Sequence, residues 1–418
     1  MLRLTGAQVE DGRVVDVEVD EVAGLITSVA PSRGHDHAAP TEPAEPTAGA
    51  PPDVTLDLGG YLLLPAPAEP HAHLDKALLA ERILNPAGDL LGAISAMEAN
   101  RHTLTVDDIA ERAERAARLL VRSGVTAIRS HADITLVHGL RSVEGLARAR
   151  ECLRDIVDLQ IVALVSWPIT GPEGAELRDL LRAALEIGAD VVGGCPHLEG
   201  DPSEANATLL GIADDHDRLV DLHTDETLDP TVLGLRDLAA RVAKDRAPGT
   251  VTASHCVSLG MQPPEVQEAV ADEVAAAGVS VVTLPQTNLY LMGRDRPVAT
   301  PRGLTALRPL LDAGVNVAAG ADNLQDPFNL VGRADPLETA ALLVMAGHVA
   351  PEEAYTAVSR ASRAALGLPA TGVVPGAPAE LLAVRATSLR EAIAAASHDR
   401  VVVHRGRVVS RTRVVQEA

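Results

Sequence analysis

Aromatic side chains are almost missing from this chain of 418 residues: Tyr61, Trp167, Tyr290, Phe328 and Tyr355 are the whole inventory. Its core is therefore packed by Leu, Val, Ile and Ala, and an aromatic near a site is there for a particular reason. Cysteine is scarce as well. Cys152, Cys195 and Cys256 form an odd set without CxxC spacing, which excludes a disulfide framework or a structural zinc module and leaves buried thiols as the expectation. Basic residues are outnumbered, 36 Lys and Arg against 58 Asp and Glu, for a formal net charge of −22. That charge repels phosphate backbones and anionic membranes, so the expected partner is a small molecule and not nucleic acid or a membrane. No long apolar run opens the chain either: MLRLTGAQVEDGRVVDVEVD carries charges every few residues, unlike a signal peptide or a membrane span, and a cytoplasmic location is expected.

What is present is enough apolar residue, 46%, to bury a barrel-sized core with an accessory module. Short alternating stretches such as VVDVEVD and LITSVA lie near the N-terminus, and ELLAVRA and RVVVHRGRVVS repeat that style near the C-terminus. Residues 1–60 and 370–418 are thus expected to share one small β-sandwich domain. Between the N-terminal stretches, residues 34–52 are rich in Pro and Ala without any period, which reads as a solvated loop. From 61 to 369, apolar runs alternate with helical patterns such as DDIAERAERAARLLVRSG, and eight candidate strands appear: LLLPAPAEPHAH, VTAIRSHAD, LQIVALVSWP, DVVGGCPH, RLVDLH, TVTASH, VSVVTLPQTN and NVAAGAD. Eight parallel strands predict a (β/α)8 TIM-type barrel of the α/β class, in which functional groups come from the C-terminal strand ends. Most of these runs begin apolar and finish in His, Asp, Asn or Pro. An open doubly wound sheet is the alternative, but no glycine-rich phosphate loop follows the first strand.

Along a strand the side-chain period is two, so His71 and His73 of HAH point to one face and can grip one cation. His223 closes RLVDLH, His255 closes TVTASH and Asp322 closes NVAAGAD. Singly, each histidine reads equally well as a packed or exposed side chain, and Asp322 as the N-cap of a following helix. Their common placement at strand ends is what points to a site. Nitrogen and oxygen ligands of this kind suit Zn²⁺ or Fe²⁺ and leave a position for water, whose pKa the cation lowers towards neutrality. Glu226, just past the strand in HTDE, is either a solvated loop charge or, if desolvated, a proton donor.

These segments together, with GVNVAAGADNLQDPF and the NLYLMGR stretch, resemble the cytosine deaminase branch of the amidohydrolase superfamily over nearly the whole chain. The resemblance implies one divalent metal, Zn or Fe, on His71, His73, His223 and Asp322, with no carboxylated lysine because VVGGCPH closes strand four. It implies that His255 orients the attacking hydroxide and that Glu226 protonates the ring nitrogen. Asp322 accepts the proton of water and delivers it to the departing amine. The chain departs from cytosine deaminase at Trp167-Pro168-Ile169, at Asn323 and at Phe328. These four residues, Trp167, Ile169, Asn323 and Phe328, are the expected substrate contacts, and Ile169 in place of a glutamine predicts poor cytosine turnover and a preference for a ring with an apolar edge. The implied activity is hydrolytic deamination of a small aminated N-heterocycle. Alternatives are release of an alkylamine from a substituted triazine such as N-isopropylammelide, as other members of the branch do, and a non-catalytic ligand-binding barrel. Related enzymes associate, so a homo-oligomer is an open expectation.

Overall fold

Valines alternate with acids along Val14–Asp20, and in the computed structural model Val15, Val17 and Val19 are buried while Asp16, Glu18 and Asp20 lie at the margin. This is the period-two pattern of a half-buried strand. The structure describes residues 1–32, 54–245, 249–415 and 417, so the Pro- and Ala-rich segment 34–52 lies outside the described residues. The chain divides into two compact units, Met1–Pro67 with Val121–Thr126 and Pro369–Ala418, and Ala68–Leu120 with Ala127–Leu368.

Five strands open the first unit: β1 (Leu2–Gln8), β2 (Val14–Asp20), β3 (Leu25–Pro31), β4 (Val54–Asp57) and β5 (Tyr61–Pro65). The second unit carries β6 (Ala68–Ala72), β7 (Ala127–Ile134), β8 (Asp158–Val165), β9 (Val191–Gly194), β10 (Leu219–Thr224), β11 (Val251–His255), β12 (Ser280–Thr283) and β13 (Val317–Ala319). The chain then returns to the first unit with β14 (Leu381–Arg385), β15 (Arg400–His404) and β16 (Arg407–Arg411). There, β14 pairs antiparallel with β5, joining the two chain ends into one mixed sheet of order β16-β15-β14-β5-β1-β2-β3, with β4 beside β1. Leu2, Leu4, Val17, Leu63, Leu381 and Val403 meet in its core.

The run 62–73, a single strand in the sequence reading, is split. Pro65 and Pro67 cannot donate to a ladder, and β5 ends there before β6 begins the barrel. From β6 to β13 every neighbouring pair is parallel and follows sequence order. The ring is closed by a bridge between Ala72 and Asp322, with Asp322 N–H donating to the His71 carbonyl (3.1 Å) and His73 N–H to the Asp322 carbonyl (3.2 Å). Glu69 adds a stitch: its carboxyl accepts from His71 N–H (3.1 Å) and Ala321 N–H (3.0 Å). Helices alternate with the strands. In Val106–Arg122, Ile109, Ala113, Ala116, Ala117 and Leu120 recur every three to four residues and are buried.

With so few aromatics, the barrel interior is filled by polar residues two apart: Glu69, His71 and His73 on β6 and just beyond it, Arg129, His131 and Asp133 on β7, Asp221 and His223 on β10. All are buried. They meet across the barrel, where Arg129 Nη1 lies 2.9 Å from Asp221 Oδ2 and the His71 and His131 ring centroids are 3.9 Å apart. No helix among the described residues is long and apolar enough to cross a membrane. Of the three free thiols, Cys256 is buried and Cys195 half-buried, but Cys152 is exposed near the end of the helix Arg141–Leu153, against the expectation of buried thiols.

Candidate active site

Strand ends β6, β10, β11 and β13 deliver His71, His73, His223, His255 and Asp322 to one place, as their common position in the sequence implied. His223 Nε2 lies 3.2 Å from His73 Nε2, and Asp322 Oδ1 lies 3.3 Å from His73 Nε2 and 3.7 Å from His71 Nε2. Donor atoms of His71, His73 and Asp322, and separately of His71, His223 and His255, all fall within 4.8 Å of one another. Desolvation pushes the pKa of His71, His73 and His223 well below the usual histidine value, and the crowding of imidazoles adds to it. At neutral pH they are uncharged and their lone pairs are free to ligate. Burial drives the Asp322 carboxyl the other way, well above its usual range, with the neighbouring Glu226 as the next cause.

His71 Nε2 and both Asp322 carboxylate oxygens are buried without any hydrogen-bond partner. Unpaired buried polar atoms of this density are costly. A divalent cation accounts for them at once, because three neutral imidazoles and a carboxylate are a standard donor set for one. Backbone geometry carries tension here too: His255 (φ 72°), Asp322 (φ 64°) and Asp225 (φ 51°) all lie in the left-handed region that non-glycine residues avoid.

Two further hydrogen bonds set the imidazoles. His71 Nδ1 is 2.9 Å from Ser254 Oγ, which itself donates to Asp221 Oδ1 at 2.8 Å. The serine oxygen therefore accepts the Nδ1 proton and leaves Nε2 bare towards the site. Asn288 Nδ2 lies 3.2 Å from His255 Nδ1, so the proton of neutral His255 sits on Nε2. Glu226 is buried with Oε1 3.5 Å from His255 Nδ1, and desolvation raises its pKa to about 8, so it is protonated at neutral pH.

A cleft opens onto this cluster, with His73, His223, His255 and Asp322 in its lining. Trp167, Asn323 and Phe328 line it. Ile169 does not. Beyond β8 the chain curls back on itself: Ile169 N–H donates to Glu199, its carbonyl accepts from Arg178, and Gly174 packs so tightly on that carbonyl that a Cβ would fall 2.3 Å from the Ile169 carbonyl carbon. Ser166 and Trp167 form that wall instead, and the expected apolar edge facing Ile169 loses its basis. Asn323 is also partly committed, its amide engaged by Thr287 (3.2 Å) and Asp326 (2.9 Å). Tyr290 is not among the lining residues and carries Arg294 over its ring at 4.6 Å.

Residues 81–410 match the family model described as the amidohydrolase family. The chain belongs to the amidohydrolase family. This amidohydrolase is 34% identical to a pterin deaminase of Rhizobium rhizogenes, over 98% of its own length and 90% of the relative's. It is similar in structure to 5-methylcytosine deaminase from Klebsiella pneumoniae (27% identity, TM-score 0.86, 100% of this chain and 99% of that one). A like match joins it to N-isopropylammelide isopropylaminohydrolase from Burkholderia multivorans (28% identity, TM-score 0.81, 98% of each chain).

Several residues of the site were not singled out by sequence reasoning. Glu69, Asp221 and Ser254 lie on strands whose ends were recognised, and their period-two spacing from His71 and His223, or adjacency to His255, was the available signal. Lys76 and Asp133 stand at the ends of HAHLDK and RSHAD and line the cleft. Arg101, another lining residue, has no local signal at all; it follows the helix Leu90–Asn100, whose start is capped by Asp89 accepting from Gly92 N–H (2.8 Å).

Proposed function

We propose that this protein hydrolytically removes an exocyclic amino group from a flat, aminated N-heterocycle, of the class to which pterin and 5-methylcytosine belong. The observation that carries the reading is the meeting, in one cleft, of a neutral-imidazole and carboxylate donor set with a carboxylic acid that is protonated at neutral pH. In this reading His71, His73, His223 and Asp322 hold one divalent cation, Zn²⁺ or Fe²⁺. When bound, such a cation would act as a Lewis acid on a water molecule and lower its pKa towards neutrality.

The chain's own groups then move the protons. Glu226 donates to the ring nitrogen beside the reacting carbon, which draws electron density away from the carbon as water adds. His255 presents Nε2–H to the attacking oxygen and steadies the charge that develops on it. Asp322 takes one proton from that water and passes it to the exocyclic nitrogen, and the second leaves the hydroxyl as the carbonyl forms and restores Glu226, so that ring N=C–NH₂ and H₂O become ring N(H)–C=O and NH₃. Trp167 and Phe328 offer ring faces against which a planar substrate lies. The free thiols at Cys152, Cys195 and Cys256 suit a reducing cytoplasm. Leu90 and Ile94 on the cleft wall offer space for an alkyl substituent, which keeps alkylamine release as a second reading.

The test is a screen of Zn- and Fe-loaded protein against pterin, cytosine, 5-methylcytosine and aminated triazines with and without N-alkyl groups, scoring ammonia and alkylamine separately. Ammonia from at least one ring supports the deaminase, alkylamine alone supports the second reading, and neither product from any ring sinks both.

A further inference from the structure

Beside the histidine cluster, the cleft wall carries three charged side chains that the reaction scheme leaves idle: Lys76, Arg101 and Asp133. They are joined into one unit. Asp133 Oδ1 receives Lys76 Nζ at 2.8 Å, and Asp133 Oδ2 receives Arg101 Nη1 at 2.9 Å. Lys76 is 4% and Arg101 8% exposed, so both cations are largely out of bulk water.

A count of donors and acceptors decides what such a wall takes. An ammonium has three N–H donors and a guanidinium five. Lys76 uses one on Asp133, and His73 Nδ1, 3.2 Å from Lys76 Nζ, accepts none when His73 ligates through Nε2, while Arg101 uses one on Asp133 and one on Glu98 Oε1 at 2.8 Å. About three of the eight donors therefore have a protein partner. Asp133 keeps about two lone-pair positions on its carboxylate, so the wall is richer in unspent donors than in acceptors. In charge, Asp133 and the buried Asp75 behind it offset the two cations, and Glu98 on the outer side of Arg101 is 47% exposed and screened by solvent, so it is the surplus of donors and not a net charge that sets what the wall takes. Donors that face the cleft without a protein partner are the ones a bound ligand can satisfy. Leu90, Ile94 and Phe328 add apolar surface to the same cleft.

We propose that Lys76 and Arg101, fixed in place by Asp133, select the substrate by its edge, favouring a heterocycle that presents carbonyl-type oxygens there, as a ring oxo group or a ring-bound carboxylate, over one that presents amino or alkyl groups. Asp133 acts as the positioning residue, holding two cations side by side that would otherwise repel each other. This inference rests on the proposed reading of the site as one for aminated heterocycles, and replaces the apolar-edge preference expected from Ile169.

Matched ligand pairs test it. Binding of 2-amino-4-oxopteridine and 2,4-diaminopteridine is measured by calorimetry on Zn-loaded protein in a Glu226→Gln background that slows turnover, wild type at Lys76 and Arg101, and the pair 2-amino-4-oxopyrimidine and 2,4-diaminopyrimidine is treated likewise. A carboxylated and an uncarboxylated 2-amino-4-oxopteridine separate the two oxygen sources. The expected result is an oxygen-over-amino or carboxylate-over-hydrogen preference of about 10- to 150-fold in at least one pair, the range for hydrogen bonds to charged groups. In Lys76→Met or Arg101→Met that ratio should fall towards unity. Because each ratio compares two ligands on one protein sample, a partial defect in folding or metal loading lowers both members and leaves the ratio in place. No preference with Lys76 and Arg101 intact, or a preference that both variants retain, overturns the proposal. The readout is binding, so a protein that releases ammonia from none of these rings defeats the deaminase reading while the ratio still decides the role of this wall.

Discussion

Replacing Ser254 by Ala isolates the device that presents His71 to a cation. Ser254, His71 and Asp221 are each essentially inaccessible to solvent, and Asp221 is held on its other oxygen by Arg129 at 2.9 Å. Losing the hydroxyl strands Asp221 Oδ1 and removes the acceptor for the His71 Nδ1 proton. Without metal, the imidazole relieves its share by moving that proton to Nε2, which faces Asp322 at 3.7 Å. The apo-protein should then lose about 1 to 3 kcal/mol, the cost of the carboxylate oxygen alone. Binding a cation has to reverse the tautomer and leave Nδ1–H unsatisfied, and loss of such an outer hydrogen bond weakens metal affinity by about 10- to 100-fold. The apo cost is read by denaturant titration and the metal term by competition with a chelator. Ser254→Thr, which keeps a hydroxyl, should recover most of the affinity. A folded Ser254→Ala protein whose metal affinity stays within about twofold of the wild type, well outside that range, refutes the tautomer argument.

Four other outcomes are expected. Glu226→Gln should keep metal content and stability while lowering turnover by about 10²-fold or more, since the amide cannot release a proton. In the wild type, kcat/KM should decline as pH rises through about 8, because the raised pKa leaves Glu226 protonated below that value and ionised above it; an unchanged rate well into the alkaline range removes Glu226 as the donor. His71→Ala should abolish stoichiometric metal, and elemental analysis showing full occupancy in that variant overturns the ligand assignment. Gly320→Ala places a Cβ 2.2 Å from Glu69 Oε1, a carboxyl that cannot swing aside without releasing the hydrogen bonds that close the barrel. Overpacking of that kind costs about 1 to 3 kcal/mol, and a denaturation midpoint equal to the wild type would show that Glu69 moves freely.

The eight barrel strands were legible because each apolar run stops at a polar residue, and in a parallel barrel those stops fall on one rim. His71, His73, His223, His255 and Asp322 inherit their convergence from that rule alone. Ile169 was misjudged because it lies beyond Val165, where β8 ends and the period of the strand no longer tells which way a side chain points. Lys76 was in plain view, yet a lysine just after a strand ordinarily reads as solvated; only the placement of Asp133 and Arg101 shows it to be buried. Arg101 depends on how the helix Leu90–Asn100 lies across the barrel mouth, a matter of tertiary packing that no local pattern records. The split of the run 62–73 was written in Pro65 and Pro67, but a hydrophobic stretch of that length masks the break.

The near-absence of aromatic rings also makes the protein its own optical probe. Trp167 is the single indole in the chain, it stands 39% exposed on the wall of the cleft, and no other tryptophan contributes background emission. A planar heterocycle settling beside it excludes water from one ring face and takes up excitation energy from the other, so steady-state emission reads occupancy of the cleft directly. Ligands that never react are then as visible as substrates, without a label or a coupled enzyme.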